Sequence, residues 1–191
     1  MRPLKGLLCI AGAGPDAGAL GFDRAGVDLV VAADAGLLLA MRLGFEPDLV
    51  VGDMDSLPDR SLLARFEPGR LLVFPADKDE TDTEIGLRVL RERGCTDVTI
   101  AGGGGGSIDH PLAIAALCER ADPRRRWVTD GEDIRLVDGP VEIEGWQGST
   151  LSLLPLAPEV SGMSSEGLAW PLAGLVFRRG WGGISNRVVG P

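Results

Sequence analysis

Three features of the sequence predict an α/β fold, a doubly wound and mainly parallel sheet, followed by a small antiparallel β-sandwich or barrel. Short apolar runs alternate with helix-like segments over the first two-thirds of the chain. Carboxylates recur just beyond those runs, at Asp34, Asp53, Asp55, Asp79, Asp82 and Asp109. After Asp122 the helical patterns stop, and Gly and Pro break the chain into short β-like pieces. Alternating strands and helices favour parallel pairing, because each crossover helix returns the chain to the same sheet edge.

The elements follow in order. Leu4 to Ile10, Asp28 to Ala33, Asp48 to Val51, Leu71 to Phe74 and Val98 to Ala101 read as strands buried on both faces. Gly36 to Leu43, Arg60 to Phe66, Thr83 to Arg93 and Pro111 to Arg120 read as helices. The third helix is the best marked: Thr81 and Glu84 form a capping-box pattern, Ile85 and Val89 share a face, and Gly94 ends it. Pro123-Arg124-Arg125-Arg126 reads as a polar hinge. Beyond it, Trp127-Val128, Ile134 to Val137, Val141 to Ile143, Thr150 to Leu154, Gly167 to Trp170 and Leu175 to Phe177 read as strands of the second domain. The expected division is therefore 1–122, a Rossmann-like domain, and 123–191.

Composition narrows the function classes. A chain of 191 residues with 45% hydrophobic and 25% charged residues suits one sizeable or two small globular domains. Its formal charge of −9 disfavours nucleic acid and anionic membranes as partners. Cys9, Cys95 and Cys118 lie in or beside apolar segments without a CxxC pair, as expected of buried thiols in a reducing compartment. Arg2 and Lys5 precede Leu7-Leu8-Cys9-Ile10, but that run is too short for a secretory leader and is broken at Gly12. The expected location is cytoplasmic.

In an open parallel sheet, ligands bind beyond the carboxyl ends of the strands, where the acidic positions fall. Carboxylates gathered on one rim repel each other unless a cation intervenes. Magnesium suits such a set, being shared between a few carboxylates and substrate phosphates. Each piece also has a structural reading: Asp34-Ala35-Gly36 as a strand-to-helix turn, Asp55-Ser56 before Pro58 as a turn or cap, and Thr81-Asp82 as a helix cap.

Gly102 to Gly106 and Ser107, between a strand and a helix, are expected to bring backbone N–H groups to a phosphate, with the helix start near Asp109 behind them. This is no Walker A loop, and Gly12-Ala13-Gly14 with Gly18 is a poor dinucleotide fingerprint. His110, the only histidine, is read as a cap contact or as a phosphate contact.

Taken in order, Asp34-Ala35-Gly36, Gly52-Asp53-Met54-Asp55-Ser56, Lys78-Asp79-Glu80-Thr81-Asp82 and the Gly-rich stretch with Asp109-His110 resemble the motifs of the thiamine pyrophosphokinase family. Leu151 to Pro155, Gly167-Leu168-Ala169-Trp170 and Ser185-Asn186 extend the resemblance over nearly the whole chain. It implies a homodimer in which a catalytic α/β domain precedes a β-sandwich and thiamine binds near the subunit interface. The implied reaction transfers pyrophosphate from ATP to the thiamine hydroxyl and releases AMP.

By position, the resemblance implies that Asp53, Asp55 and Asp79 hold Mg2+ and, with Asp82, form the catalytic centre. It implies ATP contacts for Asp34, Lys78, Gly103, Gly104, Gly105, Ser107, Asp109 and His110. Thiamine contacts fall to Trp170, Trp181, Ser185 and Asn186, a tryptophan facing the cationic thiazolium. Leu38, Ser107 and Ile114 stand where the family usually has asparagine, arginine and asparagine. Two alternatives stay open: a diphosphokinase for another hydroxymethyl heterocycle such as a pterin, and a catalytically silent nucleotide-binding module.

Overall fold

The computed structural model describes residues 2–119, 124–180 and 182–190. Strands β1 (Leu4–Cys9), β2 (Leu29–Ala33), β3 (Leu49–Gly52), β4 (Leu71–Val73), β5 (Cys95–Ala101), β6 (Arg124–Val128) and β7 (Asp133–Arg135) form one sheet, in the order β4-β3-β2-β1-β5-β6-β7. Neighbouring strands are parallel except β6 and β7. The α-helices are α1 (Gly36–Arg42), α2 (Asp82–Glu92) and α3 (Asp109–Cys118).

The period-2 alternation of β1 divides the core. Leu8 and Ile10 pack with Val31, Val51 and Ile100 against Ile85 and Leu90 of α2 and Ile114 and Leu117 of α3. Leu7 and Cys9 pack with Val30 against Leu39 and Ala40 of α1. A third cluster joins Ala32 and Val50 to Leu37, Met54 and Leu57. Gly36 allows α1 to reach β1, since a Cβ there would collide with the Cys9 carbonyl. Gly36→Ala is therefore expected to destabilise the protein by about 3 kcal/mol, read as a lower urea midpoint at unchanged slope.

Several expectations change. Segment 60–65 is a 3-10 helix (Arg60–Arg65), not an α-helix, and none of its side chains is fully buried. So short a segment gains too little burial to offset helix nucleation. Strand β4 is a half-buried edge, with Val73 66% exposed, rather than a strand covered on both faces. Trp127-Val128 and the segment near Ile134 belong to β6 and β7 of the main sheet, not to a second domain.

The chain divides into compact units Met1–Leu136 and Val137–Pro191. The boundary expected at Asp122, and Pro123 of the expected hinge, lie outside the described residues. Arg124 to Arg126 are strand residues of β6.

Arg126 helps bind this edge together. Its guanidinium donates to the Ala19 and Leu20 carbonyls and to Asp133, which also accepts from Arg135. Burial would raise the Asp133 carboxyl, but the hydrogen bonds and charges of Arg135 and Arg126 outweigh it and hold it below the ordinary range. A depressed folded-state value means the stabilisation is complete above the unfolded pKa and vanishes as pH falls through the folded one. Asp133→Asn should cost about 2 kcal/mol near neutrality, with the gap from the parent closing in acid denaturation series.

In the second unit β8 (Thr150–Leu153) pairs antiparallel with β11 (Gly183–Arg187), and β9 (Glu159–Val160) with β10 (Phe177–Arg178). Val141 to Ile143 is not a strand, Gly167 to Trp170 contributes only a bridge from Leu168 to Val188, and β9 and β11 were not expected from sequence.

Candidate active site

Asp34 extends β2 beyond its last strand residue. Its N–H donates to the Val51 carbonyl at 2.9 Å, while its own carbonyl accepts from Leu37 as α1 begins. This double tether holds a non-glycine residue at φ 48°, a strained conformation that persists only under tertiary constraint. The side chain is buried, 6% of the residue being exposed. Its Oδ2 accepts from the Ser56 hydroxyl, and its Oδ1 is buried without a hydrogen-bond partner.

Asp53 follows β3 through Gly52, whose φ is 132°. A Cβ on Gly52 would stand 3.1 Å from Asp82 Oδ1 and 3.3 Å from Asp34 Cβ, so glycine keeps room between the acids. Asp53 Oδ1 accepts from the Asp55 N–H at 3.1 Å, and Met54 between them is buried at φ 61°. Asp82 opens α2 beside the capping box, in which the Thr81 N–H donates to Glu84 Oε2 and the Glu84 N–H to Thr81 Oγ1.

One ligand oxygen each from Asp34, Asp53 and Asp82 lies within 4.8 Å of the others. Lys78 Nζ is 3.2 Å from Asp53 Oδ2 and 3.2 Å from Asp82 Oδ1. The second contact is ionic rather than a well-aligned hydrogen bond, since Asp82 Oδ1 has no hydrogen-bond partner.

The charges respond accordingly. The Asp55 N–H, aided by Lys78 against partial burial, holds the Asp53 carboxyl below its ordinary value. The neighbouring Asp53 carboxylate pushes Asp55 up, through a shared hydrogen bond and its charge. Burial raises Asp82 despite Lys78. Burial would lower Lys78, yet the carboxylates of Asp82 and Asp53 raise it. Three converging carboxylates, with Asp34 Oδ1 and Asp82 Oδ1 both buried without a hydrogen bond, fit a hard divalent cation.

The structure thus gathers a different trio from the one expected to bind metal. Asp53 is common to both; Asp34 and Asp82 join it, while Asp55 and Asp79 are exposed and outside the group. Asp109, Ser107 and His110 are exposed at the start of α3, where His110 Nδ1 is 3.1 Å from Asp109 Oδ1. Ser107 and His110 hold the Asp109 carboxyl below its ordinary value.

The glycine run corrects the phosphate-loop expectation at two of its positions. Gly103 N–H donates to Ala11 and Gly104 N–H to Ala13, while Gly104 carbonyl accepts from Ala13. These glycines let the loop pack tightly: a Cβ on Gly103 would stand 2.5 Å from Ile114 Cδ1, and one on Gly104 2.6 Å from Asp130 Oδ1. Gly105 is exposed at φ 68°.

In the second unit Trp170 is 60% exposed, and Trp181 lies outside the described residues. Ser185, at φ 61°, is exposed, and its N–H donates to Ser152 Oγ. Asn186 is buried and grips the backbone of Trp170, accepting from its N–H at 3.2 Å and donating to its carbonyl at 2.7 Å. Its Oδ1 also accepts from the Arg187 N–H, so Asn186 holds Trp170 rather than presenting free polar atoms. Ser56 is outside the expected site residues, although it closes the Gly52-Asp53-Met54-Asp55-Ser56 motif; its hydroxyl contact to Asp34 is tertiary and leaves no local mark in the sequence.

Residues 25–127 match the family model described as "Thiamin pyrophosphokinase, catalytic domain". The thiamine pyrophosphokinase of Bacillus subtilis is 26% identical over 157 residues, covering 75% of this chain and 70% of that protein. The solved structure of a thiamine pyrophosphokinase from the same organism superposes with a TM-score of 0.80 at 22% identity, covering 97% of this chain and 90% of the other. A thiamin pyrophosphokinase family protein from Enterococcus faecalis gives 0.71 at 25% identity, over 97% and 90%. Yeast thiamin pyrophosphokinase gives 0.67 at 17% identity, over 100% and 81%.

Proposed function

The chain belongs to the thiamin pyrophosphokinase family, and on that premise we propose that it transfers pyrophosphate from ATP to the hydroxyl of thiamine, yielding thiamine diphosphate and AMP. The observation that carries this is the convergence of Asp34, Asp53 and Asp82, two of whose oxygens are buried without a hydrogen bond. The thiamine hydroxyl oxygen attacks the β-phosphorus of ATP while its proton passes to a nearby carboxylate or to water, a new P–O bond forms, and the bond from the β-phosphorus to the α-phosphate oxygen breaks to free AMP. Such transfer needs positioning and charge neutralisation more than covalent help from the protein.

Asp34, Asp53 and Asp82 would hold Mg2+, which would supply charge neutralisation for the phosphates. Asp55 and Asp79 are proposed to serve the same centre. Lys78, already 3.2 Å from two of the acids, is suited to follow the incoming phosphate charge. Gly105, Ser107, Asp109 and His110 are assigned to the nucleotide, and Trp170, Trp181 and Ser185 to thiamine. Asn186 acts there by fixing Trp170. The unit Met1–Leu136 would thus form the catalytic part and Val137–Pro191 the thiamine-binding part.

We further place the protein in the cytoplasm as a homodimer. The three free, buried cysteines support the first reading. Family membership and the exposure of Leu154 and Ile184, at 70% and 68%, support the second. Among the described residues no helix is long and apolar enough to cross a membrane.

The test is AMP release from ATP and Mg2+ with thiamine or with a hydroxymethylpterin. AMP formed with thiamine alone supports the assignment. AMP formed only with the pterin moves the acceptor, and nucleotide binding without AMP makes the protein a silent module.

A further inference from the structure

The segment that carries Lys78 and Asp79 leaves β4 at Phe74 and rejoins regular structure at the Thr81 cap of α2. Its start is fixed by the Phe74 N–H, which donates to the Gly52 carbonyl at 3.0 Å. Arg88, two turns into α2, reaches back over it. Its guanidinium lies 5.8 Å from the centre of the Phe74 ring. Its Nε is 3.1 and 3.2 Å from the two Glu80 oxygens, and its Nη2 is 2.9 Å from Glu80 Oε2. Nη1 lies 3.6 Å from Glu92 Oε1, on the far side.

The geometry points to Arg88 as a positioning residue of the acidic centre: by stacking on Phe74 and gripping Glu80 it pins both ends of segment 75–79, and so fixes Lys78 between Asp53 and Asp82. The inference rests on the function proposed above, because it assigns Arg88 to the metal and phosphate centre without letting it touch either. Only arginine suits the task. A planar fork matches a carboxylate through two nitrogens while its face rests on an aromatic ring, and lysine offers neither. The pair is half exposed, so it adds little to global stability and its removal leaves the fold intact. Its effect is local order at one end of a charged site.

The test uses the full chain and the variants Arg88→Ala, Arg88→Lys, Glu80→Gln and the double variant Arg88→Ala/Glu80→Ala. Three readouts are taken: hydrogen exchange of residues 75–81, Mn2+ affinity from the electron paramagnetic resonance of free Mn2+, and AMP release at varied Mg2+. Arg88→Ala is expected to speed exchange in 75–79 and to strengthen the binding of Mn2+ alone about tenfold, because the loosened Lys78 competes less for Asp53 and Asp82, while AMP release at saturating Mg2+ falls. Glu80→Gln, which keeps shape and size, should do the same to a smaller degree, and Arg88→Lys should return only part of the way to the parent. The double variant should shift no further than Arg88→Ala alone, because the two groups act as one.

Parental exchange and Mn2+ affinity in both Arg88→Ala and Glu80→Gln would overturn the inference, as would weaker Mn2+ binding in Arg88→Ala or additive shifts in the double variant. If the parent releases no AMP yet the Mn2+ and exchange effects appear, the proposed reaction fails and the clamp stands.

Discussion

Asp53→Asn is expected to lower AMP release from ATP and thiamine by roughly a thousandfold or more. The substitution keeps the side chain's shape, and the carbonyl oxygen still accepts the Asp55 N–H, so the tight turn around Met54 is retained. What disappears is the charge shared by the carboxylate group and Lys78. The loss should therefore appear in kcat at saturating ATP and thiamine, with circular dichroism and thermal unfolding close to the parent. Asp34→Asn should be nearly as damaging, since its unpartnered Oδ1 is the most buried candidate ligand. Near-parental turnover in both variants would remove the site from the mechanism.

Lys78→Met should show the second-largest effect, about a hundredfold in turnover, because a cation next to the transferred phosphates is replaced by an apolar group of similar length. It should also leave a signature that a purely catalytic residue would not. Without Lys78 the acids at Asp34, Asp53 and Asp82 face one another uncompensated, so the metal-free variant should melt below the parent. Millimolar Mg2+ should restore most of that loss, since a ligand that binds only the folded state stabilises it by mass action. A melting temperature equally low with and without Mg2+ would mean that Lys78 serves the fold alone.

The sequence carried the strand-helix alternation clearly where both local signals and burial agreed. Thr81 and Glu84 announced α2, and the structure forms both reciprocal hydrogen bonds of their capping box. The acidic rim was legible too, because carboxylates after buried strands have few alternative reasons to gather. Which three converge was not legible. Asp34 depends on a positive φ enforced by Val51 and α1, and Asp82 depends on how α2 enters. Both are tertiary facts that leave no mark on local spacing.

The glycine run departs from expectation at two positions for the same kind of reason. Gly103 and Gly104 N–H groups bond to Ala11 and Ala13, some ninety residues earlier in the chain. The second unit was the least readable part. Its strands are two to five residues long, too short for period-2 alternation to stand out, so β9 and β11 passed unnoticed while Val141 to Ile143 looked like a strand. Asn186 shows how a motif residue's contacts stay invisible in the sequence, because it holds Trp170 through backbone groups.

The central claim is that a divalent cation held by Asp34, Asp53 and Asp82 carries the phosphates of ATP. Crystals grown with Mn2+ and a non-hydrolysable ATP analogue test it directly through anomalous scattering. The account predicts an anomalous peak bounded by those three carboxylates, with Lys78 turned toward the analogue's phosphates. A peak on other residues, or the analogue bound with Lys78 still bridging Asp53 and Asp82 and no ion between the acids, would contradict it.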